Sequence, residues 1–414
     1  MDSLTQIVLG AACGEAVAGR KLGNRAMLWG AIGGTIPDLD VFAGFFTDEI
    51  TATAFHRGFM HSFLFAGLTP WIFAWLARRF YERGLPQRRG FRLTMAIVWL
   101  LLCLLATAGL NLIPLALGAG LKWYVMLPTT LLAGLFIRFL WVDYLGKPGK
   151  VVPEASYGTW VLLFFTSIFT HPVLDSFTNF GTQVWQPFSD YRVQWNTVSV
   201  VDPGYTLPFM AFLIIAMFFG RSSRTRLILC WIGIVWSCGY LAFTYWHKQR
   251  FNTIFEKTLA DKGLSYKRYM SNPTIFNNTV WYGLAETDTT FYFGLYGFND
   301  REEKVQPLSI IPKNREMLAE VPSDSRAMRF LNWFSDGYYN VVPYKGDTLQ
   351  VNDLRFGLIG DSLRTRNYVF PFLLFKNEKG EWDVKQNNRN RESVDENKDA
   401  FGQLFKRVMH GRQN

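Results

Sequence analysis

The chain reads as an α-helical multi-pass membrane domain followed by a smaller α+β soluble domain with antiparallel strands. Apolar runs of roughly 20 residues, enough to cross a bilayer, recur up to about His247. Past that point charges, Asn and turn residues return, spaced as in β-hairpins. Basic residues crowd the short loops between the apolar runs. The expected division is a transmembrane domain at 1–247 and a soluble domain at 248–414.

In chain order, the first two apolar segments, 4–19 and 26–46, are short and interrupted by Gly, Pro and Asp. Broken helices at membrane depth need protein or a water-filled cavity around their backbone, so these segments read as partial or re-entrant and hint at a site. The opening Met1-Asp2-Ser3-Leu4-Thr5-Gln6 has no basic stretch, so a cleaved signal peptide is not expected. Six stronger spans follow, at 59–77, 93–117, 123–145, 157–177, 204–220 and 226–246. The run from Met95 to Leu117 carries no charge at all.

Loop charges give the orientation. Arg78, Arg79, Arg83, Arg88, Arg89 and Arg92 fill the loop 78–92, the mark of a cytoplasmic loop. Counting spans from there puts 20–25 (Arg20, Lys21, Arg25), 146–156 (Lys147, Lys150) and 221–225 (Arg221, Arg224) on the same side. The opposite loops, 47–58 and 178–203, carry Asp48, Glu49, Asp190 and Asp202. The chain is therefore expected in the inner (plasma) membrane of a bacterial cell, with its C-terminal domain outside, in the periplasm of a Gram-negative cell.

In the soluble part, Thr279 to Thr287 and Thr290 to Phe298 read as paired strands around a turn at Asp288. Asn367 to Phe375 and Glu381 to Lys385 form a second hairpin through Asn-Glu-Lys-Gly. Helices are expected near 324–335 and 395–410, with a solvated loop from Lys385 to Lys398. No internal repeat is visible.

Composition excludes several classes. The net charge of +10 sits in membrane-flanking loops without any nucleic-acid motif, so no nucleic-acid partner is expected. Cys13, Cys103, Cys230 and Cys238 lie in apolar segments with no C-x-x-C pair, which supports neither a disulfide framework nor a thiolate zinc site.

Ionisable residues inside or beside membrane spans are costly and by default functional. Four places hold them. In Pro37-Asp38-Leu39-Asp40, two carboxylates two residues apart in an extended stretch would face one side and serve a hard cation or zinc; a plain helix end in the headgroup region is the alternative. In Phe55-His56-Arg57-Gly58-Phe59-Met60-His61-Ser62, the five-residue His spacing does not fit one helical face. His56 is expected in the loop and His61 in the first turn of the next helix, with Gly58 letting the imidazoles converge. In His171-Pro172-Val173-Leu174-Asp175 a spacing of four puts His171 and Asp175 on one helical face. Asp202-Pro203 reads as a structural or supporting residue at a helix start. Three of the chain's five histidines fall in these places, and the loop parity gathers them at the outer membrane face. Together they suffice for one metal ion with an open position, or two sharing an Asp. His247 and His410 read as interfacial and surface residues.

At these residues the sequence resembles the YdjM-like family of membrane-bound, predicted metal-dependent hydrolases, also described as inner membrane-associated and LexA-binding. The matching pieces are Pro37-Asp38-Leu39-Asp40, His56-Arg57-Gly58-Phe59-Met60-His61-Ser62 and His171-Pro172-Val173-Leu174-Asp175, extended by Gly181-Thr182-Gln183, Pro187-Phe188-Ser189 and Asp202-Pro203. The likeness spans roughly 1–246. It implies Asp38, Asp40, His56, His61, His171 and Asp175 as metal ligands and catalytic groups. Many members have a His near the N-terminus where this chain has Gln6, and Met60 stands where Thr is common.

The resulting expectation is a metal-dependent hydrolase at the outer membrane–water interface, acting on a phospholipid or another lipid-linked ester. His56, His61, His171 and Asp175 are the expected ligands, with Asp38 or Asp40 bridging or acting as general base. Arg57 would grip a phosphate or carboxylate in a bidentate contact. Mixed His/Asp ligation suits zinc, with manganese as the other choice. No G-x-S-x-G elbow is present, against a serine hydrolase. The rival readings are an ion or metal transporter, and a scaffold whose metal is structural.

Overall fold

The computed structural model describes residues 1–116, 120–147, 155–358, 368–387 and 394–412. The chain divides into two compact units, Met1–Pro70 with Leu162–Asn414, and Trp71–Val161. Four helices are long and apolar enough to cross a membrane: Arg89–Leu112, Trp123–Leu145, Tyr157–Asp175 and Arg224–Asp261. A fifth crossing follows if Glu49–His61 and Phe63–Glu82, bent by 65°, form one span. The chain is thus a multi-pass membrane protein.

In the larger unit, α1 (Ser3–Leu22) and α2 (Asn24–Thr35) form a tight helical hairpin. The segments read as short and broken are thus a full 20-residue helix and a 12-residue helix ending before Pro37. Asp2 caps α1 by accepting from the Thr5 backbone N–H at 3.1 Å. The hairpin closes because both helices carry glycines four residues apart. A Cβ on Gly10 would stand 2.3 Å from the Gly30 carbonyl oxygen, and one on Gly14 would stand 2.1 Å from that of Ala26. Small-xxx-small faces let helix backbones touch in this way. Pro37 then opens a 3-10 helix, Pro37–Phe45, where an extended stretch was expected.

α3 (Glu49–Phe55) leads through a 3-10 turn, Phe59–His61, into α4 (Phe63–Glu82). α5 (Arg89–Ala116) and α6 (Trp123–Arg138), the latter continued by a π-helical stretch Phe139–Leu145, pair in the smaller unit. Asn111 Nδ2 donates to Thr129 Oγ1 across that pair at 3.0 Å. Leu101, Leu105, Leu127 and Leu131 on their outer faces are exposed, as a lipid-facing surface requires. Leu117 and Lys150 of the expected elements lie outside the described residues.

α7 (Tyr157–Asp175), α8 (Pro203–Met217) and α9 (Arg224–Asp261) complete the helices of the membrane part. The span expected at 204–220 is a helix of 15 residues, short of the roughly 20 that a crossing needs. Val8, Ala12, Leu174, Tyr205, Phe209 and Leu213 pack into one core between α1, α7 and α8. Arg226, itself buried, donates to Glu15 through Nε at 2.6 Å and to Asn24 Oδ1 at 2.6 Å. The two basic turns expected on one side meet: Arg221 Nη1 donates to the Lys21 carbonyl at 3.0 Å.

The boundary drawn at 247 falls inside α9, whose 38 residues extend about 57 Å at 1.5 Å per residue. Its far end carries Phe251, Phe255 and Leu259 onto Trp281, Ala285 and Tyr296 of the C-terminal part. That part holds two four-stranded antiparallel sheets, each a meander. The first is β1 (Arg268–Pro273), β2 (Val280–Glu286), β3 (Thr290–Gly297) and β4 (Leu308–Pro312). The second is β5 (Tyr339–Pro343), β6 (Leu349–Leu358), β7 (Tyr368–Lys376) and β8 (Trp382–Gln386). The hairpin expected around Asp288 pairs Val280 with Gly297 and Glu286 with Phe291. Strand alternation sends Trp281 and Ala285 of β2 toward α9, and Val280, Tyr282 and Leu284 to the other face. α10 (Arg326–Ser335) buries Ala327, Phe330, Leu331 and Phe334 against the second sheet, and α11 (Val394–His410) sets Leu404 and Val408 against the first. Of the loop expected from Lys385 to Lys398, one end belongs to β8, the other to α11, and 388–393 lie outside the described residues.

The two loops of opposite parity reach this C-terminal part. Arg326 donates to Asp48 at 2.7 Å, the Gln386 N–H donates to Glu49 at 2.8 Å, and Asn278 Nδ2 donates to the Thr197 carbonyl at 2.8 Å.

Candidate metal centre

Three short segments converge. Asp38 and Asp40 come from the 3-10 helix after Pro37. At 3-10 pitch, residues two apart do not share a face, so the carboxylates part company and approach opposite edges of one imidazole. Asp38 Oδ1 lies 3.6 Å from His61 Nε2, while Asp40 Oδ2 lies 3.1 Å from His61 Nδ1.

The loop 56–62 gets its shape from Arg57 together with Gly58, where a Cβ would stand 2.7 Å from the Phe55 carbonyl oxygen. Arg57 sits at φ +55, a left-handed conformation that costs a non-glycine residue about 1 kcal/mol. It is held from both sides: its N–H donates to Asp40 Oδ2 at 2.8 Å, and its carbonyl accepts from the Gln183 N–H at 3.0 Å. The result turns His56 and His61 onto the same carboxylate, with His56 Nδ1 2.9 Å from Asp40 Oδ1. Gln183 braces the loop again through Nε2 on the Ala54 carbonyl at 2.9 Å.

His171 and Asp175 share one face of the last turn of α7, with His171 Nε2 3.6 Å from Asp175 Oδ2. His171 Nδ1 sits 2.5 Å from the Gly34 carbonyl at the end of α2, reachable because the glycine-lined hairpin brings that backbone close. A carbonyl only accepts, so the Nδ1 proton is fixed there and Nε2 is left with its lone pair.

Asp38, His61, His171 and Asp175 offer ligand atoms that all lie within 4.8 Å of one another. Asp38 Oδ1 is 3.4 Å from His171 Nε2, and Asp175 Oδ2 is 3.5 Å from His61 Nε2. His61, His171 and Asp175 are fully buried. Two features show that a cation fits. The Nε2 atoms of His61 and His171 face each other at 3.1 Å, with the His171 proton held on Nδ1 by the Gly34 carbonyl; Asp40 Oδ2 lies 3.1 Å from His61 Nδ1 but out of line for a hydrogen bond. Asp175 Oδ2 is a buried carboxylate oxygen with no hydrogen-bond donor aligned on it. Arg57 Nε lies 3.0 Å from it but out of line for a hydrogen bond. Ligand atoms from two imidazoles and two carboxylates thus converge, the donor set of a divalent ion such as zinc.

The predicted residues therefore split into two groups. Asp38, His61, His171 and Asp175 come together; Asp40 and His56 stand behind them, Asp40 collecting His56, His61 and the Arg57 N–H. Arg57 spans Asp175 and Thr178, donating to Thr178 Oγ1 at 2.8 Å, with its guanidinium 5.0 Å over the Phe180 ring. Asp202 takes no part: it caps α8, accepting from the Gly204 N–H at 3.0 Å, and binds the Tyr240 hydroxyl. Gln6 does take part, donating from Nε2 to Asp175 Oδ1 at 2.9 Å, beside the Met1 amino group on the same oxygen. Its Oε1 is buried without a donor. The roles of Gly34 and Thr178 were not read from sequence. Gly34 works through its backbone, and a Thr three residues past a helix end carries no signal of its own.

No curated protein and no solved structure matches the chain. Residues 1–251, which hold every residue of the site, match the family described as YdjM inner membrane protein. Since that match covers more than half of the sequence, the chain belongs to the YdjM inner membrane protein family.

Proposed function

We propose that this protein is a metal-dependent hydrolase working at the membrane–water interface on a phospholipid or a lipid-linked ester. The observation that carries the reading is the convergence of two imidazole Nε2 atoms, 3.1 Å apart, with Asp38 Oδ1 and Asp175 Oδ2 in a buried pocket. Asp38, His61, His171 and Asp175 would hold the ion; zinc suits this set and manganese is the second choice. Bound there, a divalent ion supplies Lewis acidity, polarising a phosphoryl or acyl oxygen and acidifying a water.

The remaining chemistry belongs to side chains on hand. Asp40 orients His61 and holds His56 by Nδ1, which leaves His56 able to take or deliver a proton at Nε2. The side chain of His56 is about one-third exposed, so it can meet both substrate and water. Arg57, anchored by Thr178, supplies a fixed positive charge for a phosphate or carboxylate.

An extracytoplasmic C-terminal part is proposed with this activity. Its support is that the acidic loops 47–58 and 178–203 contact that part, whereas the basic turns 20–25 and 221–225 meet each other.

The test is turnover. Zinc- or manganese-loaded protein in lipid nanodiscs is expected to release a head group or fatty acid from one class in a panel of phosphoesters and carboxylic esters. Asp38→Asn should abolish release. A protein that binds metal tightly yet cleaves nothing in the panel would turn the reading to the scaffold.

A further inference from the structure

A cavity of about 1420 Å³ lies between the C-terminal part and the segments of the membrane part that carry His56 and Arg57. Ordinary ligand pockets enclose about 300–1,000 Å³, so this one is large for a compact small molecule. Its walls come from the facing sides of both sheets and from the end of α10: Tyr282, Phe293, Phe334, Phe356 and Phe370, with Phe180 from the loop after α7. Tyr282 and Phe334 are almost fully buried, whereas Val41, Ile275 and Val369 of the same lining are exposed, so the space opens to the surface. Lined by aromatic carbon, the space gives an apolar occupant contacts that water cannot replace.

Two observations fix the kind of occupant. His56 and Arg57 line the cavity and also belong to the metal centre, His56 Nδ1 lying 2.9 Å from Asp40 and Arg57 Nε 3.0 Å from Asp175. Space for an apolar group therefore adjoins the place where an ester would be cleaved. Among the described lining residues, moreover, no carboxylate appears, and the formal charges are all basic: Lys406 and Arg412, with Arg57 and Arg407, which pair with Asp175 and Asp300 outside the lining. A large, mainly apolar chamber with basic groups and no acid in its described lining suits an anionic amphiphile.

We propose that the two C-terminal sheets enclose the aliphatic chain of an anionic lipid whose head group rests at His56 and Arg57. The C-terminal part then selects the substrate by its tail, while the membrane part holds the reacting ester. This selection role rests on the hydrolase reading; the binding itself does not.

The experiment uses the full chain in phosphatidylcholine nanodiscs, with hexadecyl phosphate carrying a diazirine at mid-chain as probe and mass spectrometry to map the crosslinks. Crosslinks are expected on β2, β3, β6 and β7. Competition by unlabelled butyl phosphate should be weaker than by hexadecyl phosphate by about tenfold or more, because each buried methylene adds to binding. Val369→Trp and Leu404→Trp, which fill the chamber from two elements, should each cut capture while leaving metal content unchanged. His61→Ala/His171→Ala should still capture the chain, since the tail does not need the metal. Crosslinks confined to the outer faces of α5 and α6, or capture unchanged in both filled variants, would overturn the proposal. Capture without turnover would uphold the chamber and sink the hydrolase; turnover without capture would do the reverse.

Discussion

Removing the Asp40 carboxylate tests how the site is built. Asp40 accepts from His56 Nδ1 at 2.9 Å and the Arg57 N–H at 2.8 Å, and lies 3.1 Å from His61 Nδ1. Asp40→Ala leaves the four converging ligand atoms chemically intact but frees the His61 ring and the left-handed Arg57 turn. Losing a group that orients a ligating imidazole typically costs 10–100-fold in metal affinity, or about 1.4–2.8 kcal/mol. Asp40→Asn, which keeps one acceptor oxygen, should lose less. Zinc affinity measured against a chromophoric chelator, on detergent-solubilised protein, reads this directly. Unchanged affinity in Asp40→Ala would refute the orienting role. A loss equal to that of His61→Ala would refute it differently, by making Asp40 a ligand.

Three further outcomes follow from the fold. Arg226→Ala strands the buried Glu15 carboxylate and should destabilise the protein by about 3–5 kcal/mol; a thermal unfolding midpoint close to wild type would contradict this. Gly30→Ala puts a Cβ 2.2 Å from the Gly10 carbonyl oxygen and should lower the midpoint, whereas Gly67→Ala, with open space around it, should raise it by helix propensity; the same sign in both would remove the close-packing argument. Hydrogen bonding to Arg326 holds the Asp48 carboxyl down at about 2. A depressed carboxyl stabilises above its unfolded value near 3.9 and loses that contribution as pH falls toward 2. Both groups are half exposed, so the stabilisation is about 0–1 kcal/mol. The midpoint gap between wild type and Asp48→Asn should therefore close on acidification, and a widening gap would refute the linkage.

Membrane spans were legible because an uncharged run such as Met95 to Leu117 has few other uses. The shortness of α8 was not, since hydropathy continues past Met217 after the helix stops. The hairpin of β2 and β3 announced itself by strand-forming residues around a turn. β6 did not, because Asp353 shifts the phase of its alternation, from Leu349 and Val351 to Leu354, Phe356 and Leu358, and Gln350, Asn352 and Arg355 add polar side chains. These side chains are buried all the same, satisfied by one another: Gln350 donates to Asn352 at 2.7 Å, Asn352 to Asn340 at 2.9 Å, and Arg355 to Asp353 at 2.7 Å. For the site, residue types and spacing pointed to segments that the fold brings together. Roles depended on backbone geometry that spacing does not encode: the 3-10 turn that separates Asp38 from Asp40, and the left-handed Arg57. The Gly34 carbonyl, being backbone, left no trace in residue chemistry.

The most direct test of the central claim is the metal content of the purified, detergent-solubilised protein, set beside His61→Ala/His171→Ala. About one equivalent of zinc or manganese in the wild type, lost in the double variant while the fold persists, is the predicted result for a four-ligand site. No bound metal in the wild type, even after incubation with both ions, would contradict the metal centre and the hydrolase built on it.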